Sequence, residues 1–261
     1  MARVIVITSG KGGTGKTTTA INLSASLNSF GKNVIVVDAN LTTPNIGIHL
    51  GAPIVPISLH HVLQGKNSLR EAIYEHHSGT KILPASLSLK ELRGVRPEKL
   101  IDVARQLKRY TDIIIFDSAA GLGREAINAI QAADELLVVV NPELPSVTDA
   151  LKTIKLAEEL GKSIRGVILT RTRGDGKEIK KEDIKIMLEY PLLGTIPEDE
   201  AVRESLVLRD AVVHTHPRSN AAIAYKKLAA KLLGKRYVER EEKAEKKRLG
   251  YKILRALGLR K

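Results

Sequence analysis

Residues 10–18 read Gly10-Lys11-Gly12-Gly13-Thr14-Gly15-Lys16-Thr17-Thr18. This run fits the pattern G-x-x-x-x-G-K-[ST], and it lies between an apolar β-branched run and a segment of helical periodicity, as the pattern requires. Glycines let backbone N–H groups curl around phosphate oxygens, and the N-terminus of the following helix adds a positive dipole. Lys16 would reach the β- and γ-phosphates, and the Thr17 hydroxyl would ligate Mg²⁺. The nine residues therefore predict a phosphate-binding P-loop.

The rest of the chain alternates short apolar runs with longer periodic segments. Strands are predicted at Val4–Thr8, Asn33–Asp38, Lys81–Pro84, Asp112–Asp117, Glu135–Asn141, Ile164–Thr170 and Leu192–Ile196. Helices are predicted at Lys16–Phe30, Pro97–Tyr110, Arg124–Ala132, Ser146–Leu160 with Ser146 as its cap, Lys181–Glu189, Ala201–Leu208 and Asn220–Leu233. Buried parallel strands read as continuous apolar runs, as several do here. We therefore expect a doubly wound α/β fold, with a mostly parallel sheet flanked by helices.

An early lysine distinguishes this P-loop from ordinary ones. With Lys11 included, Lys-Gly-Gly-x-Gly-Lys-Thr-Thr resembles the deviant Walker A motif of the MinD/ParA family of ATPases. The resemblance extends to about residue 235, and it implies a P-loop NTPase that binds ATP or ADP with Mg²⁺ and dimerises with ATP. It also implies that Lys11 reaches the partner subunit's nucleotide and neutralises charge that develops on the phosphates. The alternative is a solvated lysine on a loop.

The segment after the second strand resembles switch I of that family, which reads D-x-D and then Asn with a hydrophobic stretch. Asp38 matches the first Asp, which implies a place near Mg²⁺ and its waters. Asn40 stands at the second Asp, a position that helps to place the attacking water. An amide carbonyl can orient water, but it cannot accept a proton, so we expect slower or differently arranged hydrolysis.

A second carboxylate ends a buried strand. Four apolar residues and Phe116 lead to Asp117, which has the form of a Walker B aspartate aimed at the Mg²⁺ shell. Ala119 stands where the family usually has proline. The predicted metal ligands are therefore Thr17, Asp38 and Asp117.

Two further segments resemble the MinD branch of the family. Residues 141–149 match N-P-E-x-x-S-x-x-D, and residues 196–199 match the I-P-E-D segment near the adenine. The strand end that faces the adenine usually reads Asn-Arg, whereas this chain has Thr170 and Arg171. The resemblance therefore implies that Arg171 and Pro197 contact the base.

Composition excludes several other functions. The chain has no cysteine, which excludes disulfides, thiolate zinc sites, Cys-ligated iron–sulfur clusters and a cysteine nucleophile. Aromatic residues make up only 3%, which argues against a surface that stacks nucleic-acid bases. None of the seven histidines has the i, i+4 spacing of a helical zinc site: His49, His60, His61, His76, His77, His214 and His216. We expect the adjacent pairs, His60 with His61 and His76 with His77, to be surface residues in loops. No run approaches the roughly 20 apolar residues that span a bilayer, and we expect a cytoplasmic protein.

Most of the positive charge lies at the C-terminal end. Residues 226–261 carry 14 Lys and Arg against 4 Glu, a net +10, while residues 1–225 contribute only +3 to the total of +13. From Leu249 to Leu257 apolar residues recur at helical spacing, with cations on the opposite side. Such a helix can lie on an anionic membrane surface, and two copies in a dimer would bind more tightly than one. The family resemblance also implies a C-terminal membrane-targeting helix.

These patterns divide the chain into a P-loop ATPase domain, residues 1–234, and a charged linker with a basic amphipathic helix, residues 235–261. We interpret the chain as a MinD-like ATPase with slow, partner-stimulated hydrolysis. ATP-dependent homodimers would bind the inner face of the cell membrane reversibly through residues 246–261. They would position a protein partner there, for placement of the division site or for another spatial task such as placement of an appendage. A packed C-terminal helix, a ParA-like DNA-segregation ATPase and a metabolic P-loop enzyme remain as alternatives, although no substrate site supports the last.

Overall fold

An eight-stranded sheet forms the centre of the computed structural model, which describes residues 2–238. Its strands are β1 (Arg3–Thr8), β2 (Val34–Ala39), β3 (Tyr74–Glu75), β4 (Lys81–Leu83), β5 (Ile113–Ser118), β6 (Glu135–Val140), β7 (Ser163–Thr172) and β8 (Leu192–Pro197). They lie in the order β3-β4-β2-β5-β1-β6-β7-β8, and all neighbours are parallel except β3 and β4. The strand order reverses around β1, and ligands of such sheets bind at the carboxyl ends of the strands at this reversal.

Helices cover both faces of the sheet. The α-helices of the described residues are α1 (Lys16–Ser29), α2 (Ile46–His49), α3 (Leu59–Gln64), α4 (Leu100–Leu107), α5 (Arg124–Ala132), α6 (Leu144–Glu159), α7 (Lys181–Leu188), α8 (Glu200–Val207), α9 (Val212–Thr215) and α10 (Asn220–Leu232). Short 3₁₀ turns lie at Leu69–Ala72 and Pro97–Lys99. Alternate strand residues point to opposite faces. Accordingly, Ile5 and Ile7 pack in one cluster with α1 and α10, while Val4 and Val6 pack in another with α4 and α5.

The structure confirms the predicted fold class. Every predicted strand is present, and the predicted helices agree within a few residues. One helix start is wrong: α6 begins at Leu144, and Ser146 lies inside its first turn instead of capping it. The Ser146 hydroxyl instead accepts a hydrogen bond of 3.0 Å from the backbone N–H of Asn141. Strand β3 and the short helices α2, α3 and α9 were not predicted because runs of two to six residues carry little periodicity.

The C-terminal predictions lie largely outside this region. The amphipathic helix at residues 246–261 and all of the linker beyond residue 238 fall outside the described residues. Within residues 2–238, no helix is both long enough and apolar enough to cross a bilayer.

Candidate functional site

The P-loop connects β1 to α1 at the point where the strand order reverses. Gly13 and Gly15 have φ values of 77° and 89°, a left-handed conformation that favours glycine. Gly10 is required for a different reason: a Cβ there would lie 2.2 Å from the backbone carbonyl carbon and oxygen of Asp149 in α6. Gly121, which follows β5, donates its N–H to the Ser9 carbonyl at 3.0 Å. The loop is therefore fixed from two sides.

Lys16 is the first residue of α1 and is buried, with 9% of its surface exposed. Its Nζ donates to the Ser9 hydroxyl at 2.9 Å, and that hydroxyl donates to the Lys11 carbonyl at 2.7 Å. Burial lowers the pKa of Lys16, and the nearby Asp117 carboxylate raises it in part. A buried ammonium that has a neutral hydroxyl as its hydrogen-bond partner is poorly compensated, so an anion such as phosphate would stabilise it.

Asp117 lies near the end of β5 and is almost fully buried. Its Oδ2 accepts a hydrogen bond of 2.5 Å from the Thr17 hydroxyl, whereas its Oδ1 has no partner among the described residues. Burial raises the pKa of Asp117 to about 6, while the Thr17 hydrogen bond and the Lys16 charge lower it. One carboxylate oxygen is therefore left for a ligand from outside the chain.

Asp38 lies directly beside Asp117, because the two residues are register partners on the adjacent strands β2 and β5. Asp38 is fully buried, and its Oδ2 accepts the backbone N–H groups of Asn45 and Ile46, both at 2.9 Å. Its Oδ1 is buried and lacks a hydrogen-bond partner within residues 2–238. Burial, followed by the charge of Asp117, raises the pKa of Asp38 well above its usual value.

These side chains fit a magnesium ion. Thr17, Asp38 and Asp117, the predicted ligands, come together at the carboxyl edge of the sheet, and they offer the hard oxygen donors that Mg²⁺ prefers. Two of those oxygens, one from each aspartate, are buried without partners in the described region. A divalent cation would satisfy both oxygens and would offset the repulsion between the two carboxylates.

Asn40 is engaged within its own loop. Its Nδ2 donates to the Thr43 carbonyl at 2.5 Å, and its Oδ1 accepts from the Thr43 hydroxyl at 3.0 Å. The neighbouring Thr42 donates both its hydroxyl and its backbone N–H to the Glu125 carboxylate in α5. Switch I is thus tied to the helix that follows β5, and the water-placing role of Asn40 stays a prediction.

A cavity of about 420 Å³ lies beside the P-loop. Cations and acids both line it: Lys11, Arg171, Arg173, Lys177, Glu143, Asp175, Glu178 and Glu198. The Lys11 side chain is 48% exposed, and its Nζ lies 4.0 Å from Oε2 of Glu143, a contact of little strength at an exposed position. The two lysines of the motif therefore have different places, with Lys16 inside the loop and Lys11 at its rim.

A smaller pocket of about 120 Å³ lies next to this cavity and brings the two predicted base contacts, Arg171 and Pro197, together with Gly15 and Thr18. Thr170 connects it to the P-loop, because its hydroxyl donates to the Thr14 carbonyl at 2.6 Å and accepts from Nδ2 of Asn141 at 3.2 Å. Arg171 has a φ of 55°, unusual for a residue other than glycine. The two predicted base contacts therefore line one pocket, and their contact with the adenine stays a prediction.

Three residues support the P-loop through contacts that the sequence did not indicate: Ser9, Asp149 and Thr170. A serine directly before the motif is a weak signal, and the approach of Asp149 to Gly10 depends on how α6 packs. The expectation for His60 was wrong, since this residue is fully buried. Its Nε2 lies 3.1 Å from the Leu41 carbonyl, and its Nδ1 accepts the Ser86 backbone N–H at 3.0 Å, so a histidine with both nitrogens satisfied fits the core.

Comparison with known proteins is consistent with this geometry. A family model described as an AAA domain matches residues 2–166. An uncharacterized ATP-binding protein of Methanocaldococcus jannaschii is 41% identical over 257 residues, covering 98% of this chain and 97% of the relative. The structure of the septum site-determining protein MinD of Pyrococcus horikoshii, solved with Mg-ADP, superposes with a TM-score of 0.85 at 38% sequence identity. The alignment covers 89% of this chain and 96% of the Pyrococcus chain. A chain of the MinC:MinD cell division protein complex of Aquifex aeolicus superposes with a TM-score of 0.82 at 30% sequence identity. The alignment covers 92% of this chain and 98% of the Aquifex chain.

Proposed function

The chain belongs to the MinD/ParA family of P-loop ATPases, and from that premise we propose that it is an ATP-dependent dimeric switch that binds membranes and positions a protein partner. Its ligands would be ATP or ADP together with Mg²⁺. The Mg-ADP complex of the Pyrococcus horikoshii relative supports this ligand pair. The two unpartnered aspartate oxygens beside Thr17 support it independently.

The chain would hydrolyse ATP by positioning and charge stabilisation. Lys16 and the loop N–H groups would hold the phosphates, and Thr17, Asp38 and Asp117 would hold Mg²⁺. The ion supplies positive charge next to the phosphate oxygens when it is bound. Hydrolysis would be slow, because Asn40 stands where the family has its second aspartate, and an amide can orient the attacking water but cannot accept its proton.

The observation that carries the dimer proposal is the position of Lys11. Its side chain is about half exposed at the rim of the 420 Å³ cavity, while Lys16 already occupies the interior of the loop. A second lysine at this rim is available to the nucleotide of another copy of the chain. Dimerisation would then depend on ATP, since the phosphates are the anions that Lys11 meets.

Membrane binding rests on the sequence of residues 246–261, which hold seven basic residues and no acidic residue. Each Lys or Arg near an anionic surface contributes about 1 kcal/mol, and apolar burial adds to this. One copy would bind weakly, whereas a dimer would bind much more tightly through effective concentration.

The MinC:MinD complex of the Aquifex aeolicus relative supports a protein partner as well.

Vesicle co-sedimentation tests the proposal. Full-length chain should pellet with anionic vesicles in ATP, and it should pellet much less in ADP or without nucleotide. A chain ending at residue 245 should stay in the supernatant although it still dimerises with ATP. Equal pelleting of the shortened chain would contradict membrane binding through the tail. Salt-sensitive binding of duplex DNA in ATP, without lipid binding, would instead support the ParA-like alternative.

A further inference from the structure

A cluster of imidazoles and one carboxylate lies away from the nucleotide site. His76 and His77 follow β3 in the β3–β4 hairpin, and Asp210 lies between α8 and α9, so the fold brings together residues that are far apart in sequence. Nδ1 of His76 lies 3.8 Å from Oδ1 of Asp210, and Nε2 of His77 lies 3.7 Å from Oδ2. Within residues 2–238, this is the one set of three His, Asp or Glu side chains whose ligand atoms all lie within 4.8 Å of one another.

The two imidazoles are packed on each other, with ring centroids 3.9 Å apart. Nδ1 of His76 accepts the backbone N–H of Ser78 at 3.4 Å and lies 2.8 Å from the Ser78 hydroxyl, so a metal ion at this nitrogen would replace both contacts. The neutral imidazole is the form that binds metal ions.

Asp210 is held in place by groups that would surround such an ion. Nδ1 of His214 lies 3.0 Å from Oδ1 of Asp210, and the Ala211 N–H donates to the same oxygen at 2.7 Å. Only about 10% of the Asp210 side chain is exposed. Hydrogen bonds of this kind orient a carboxylate that ligates a metal.

We propose that His76, His77 and Asp210 form a binding site for a divalent transition-metal ion, with Zn²⁺ as the ion of best fit. Imidazole nitrogens favour zinc over magnesium, which separates this site from the aspartates beside the P-loop. One ligand atom from each of the three residues lies within 4.8 Å of the other two, whereas ligand atoms in a tetrahedral zinc site lie about 3.4 Å apart, so metal binding would draw the three side chains closer together. Water would complete the coordination.

Metal binding would clamp the β3–β4 hairpin to the α8–α9 turn. Helix α9, which follows that turn, is connected to α1, because the Val213 N–H donates to Oδ1 of Asn22 at 3.3 Å. The preceding helix, α8, supplies Val202 and Leu206 to the small base pocket. The ion would therefore stabilise the side of the domain on which the base pocket lies, without taking part in phosphate chemistry.

Isothermal titration of Zn²⁺ tests the site. Untagged full-length chain is first stripped with chelator and then titrated in excess Mg-ADP, which fills the nucleotide site. We expect one zinc ion per chain and a Zn²⁺-dependent increase in the melting temperature. His77→Ala should weaken binding at least tenfold and remove that increase. The His77 side chain is 73% exposed, so this change removes no buried packing.

A matched control uses a histidine outside the cluster. His216 contacts Glu204 at 2.9 Å and is 31% exposed, so His216→Ala should bind zinc as the unchanged chain does. His214→Ala should weaken binding by a smaller factor than His77→Ala, because it would remove a residue that orients Asp210. The proposal is overturned if the unchanged chain binds no zinc, or if His77→Ala and Asp210→Asn bind it with unchanged affinity.

Discussion

The Thr17 hydroxyl donates to Oδ2 of Asp117 at 2.5 Å, which connects residues that are 100 positions apart in the sequence. The contact joins the first turn of α1 to the end of β5, and it orients the Asp117 carboxylate so that one oxygen bonds the protein. The other oxygen is buried and unpartnered within the described chain, as is one oxygen of Asp38. The site is thus electrostatically strained before any ligand binds.

This strain predicts that Asp117→Asn stabilises the nucleotide-free protein at neutral pH. Burial raises the pKa of Asp117 from 3.8 to about 6, so folding opposes its ionisation. The unchanged protein therefore loses stability as pH rises from about 4 to above 6, and asparagine avoids that loss. We expect Asp117→Asn to unfold with a free energy higher by up to about 3 kcal/mol at pH 8 and to match the unchanged protein near pH 3.5.

Thermal melts without nucleotide or Mg²⁺, at both pH values, measure this difference. Asp102, an exposed acid paired with Arg105, supplies the control, and Asp102→Asn should leave the pH dependence as it is. A difference between Asp117→Asn and the unchanged protein that stays constant with pH would rule out ionisation of Asp117 as its cause.

Substitution of each of the two P-loop lysines should distinguish nucleotide binding from the dimerisation and hydrolysis that follow it. Lys16→Ala removes the buried ammonium beside Ser9, and we expect loss of nucleotide binding by at least 100-fold and no ATP-dependent dimer. Lys11→Ala removes an exposed group at the rim and should leave ADP affinity within about threefold, but it should prevent dimerisation and turnover. Nucleotide titration and size-exclusion chromatography with ATP measure both. ATP-dependent dimers of Lys16→Ala would contradict the P-loop assignment.

Much of the fold could be predicted from the sequence because its parallel strands are buried on both faces and read as continuous apolar runs. The P-loop could be predicted because its chemistry restricts residue type at fixed spacing. The role of Asp117 could be predicted for a related reason. An aspartate at the end of an apolar strand is a weak signal alone, but it indicates a Walker B aspartate in a chain that has a P-loop before it.

Other parts of the site depend on contacts that have no local signal. Gly10 meets Asp149 only because α6 packs against the loop. His77 and Asp210 lie in distant parts of the sequence and are neighbours only because the β3–β4 hairpin lies against the α8–α9 turn, so sequence spacing does not indicate this cluster. His60 was expected at the surface, yet the backbone groups of Leu41 and Ser86 satisfy it in the interior.

Asn40→Asp should increase turnover if this position places the attacking water. Asparagine now binds Thr43 through both ends of its amide, whereas aspartate would lose the donor to the Thr43 carbonyl and gain a charge and a proton acceptor. We expect ATP hydrolysis to increase by roughly tenfold, with little change in ADP affinity. Steady-state phosphate release measures the rate. An unchanged or lower rate would place the water-orienting group elsewhere.

The last prediction concerns two glycines of the same loop. A Cβ on Gly10 would lie 2.2 Å from the Asp149 backbone, so Gly10→Ala must push α6 away from the P-loop, at a cost of about 1–3 kcal/mol or more. At Gly12, no described atom beyond its chain neighbours lies within 4 Å of the added Cβ, and Gly12→Ala should change the free energy of unfolding by less than about 0.5 kcal/mol. Urea denaturation without nucleotide compares the two. Both variants add the same methyl group, so they differ only in what surrounds it. Equal urea midpoints for Gly10→Ala and Gly12→Ala would therefore mean that α6 does not restrict the P-loop at Gly10.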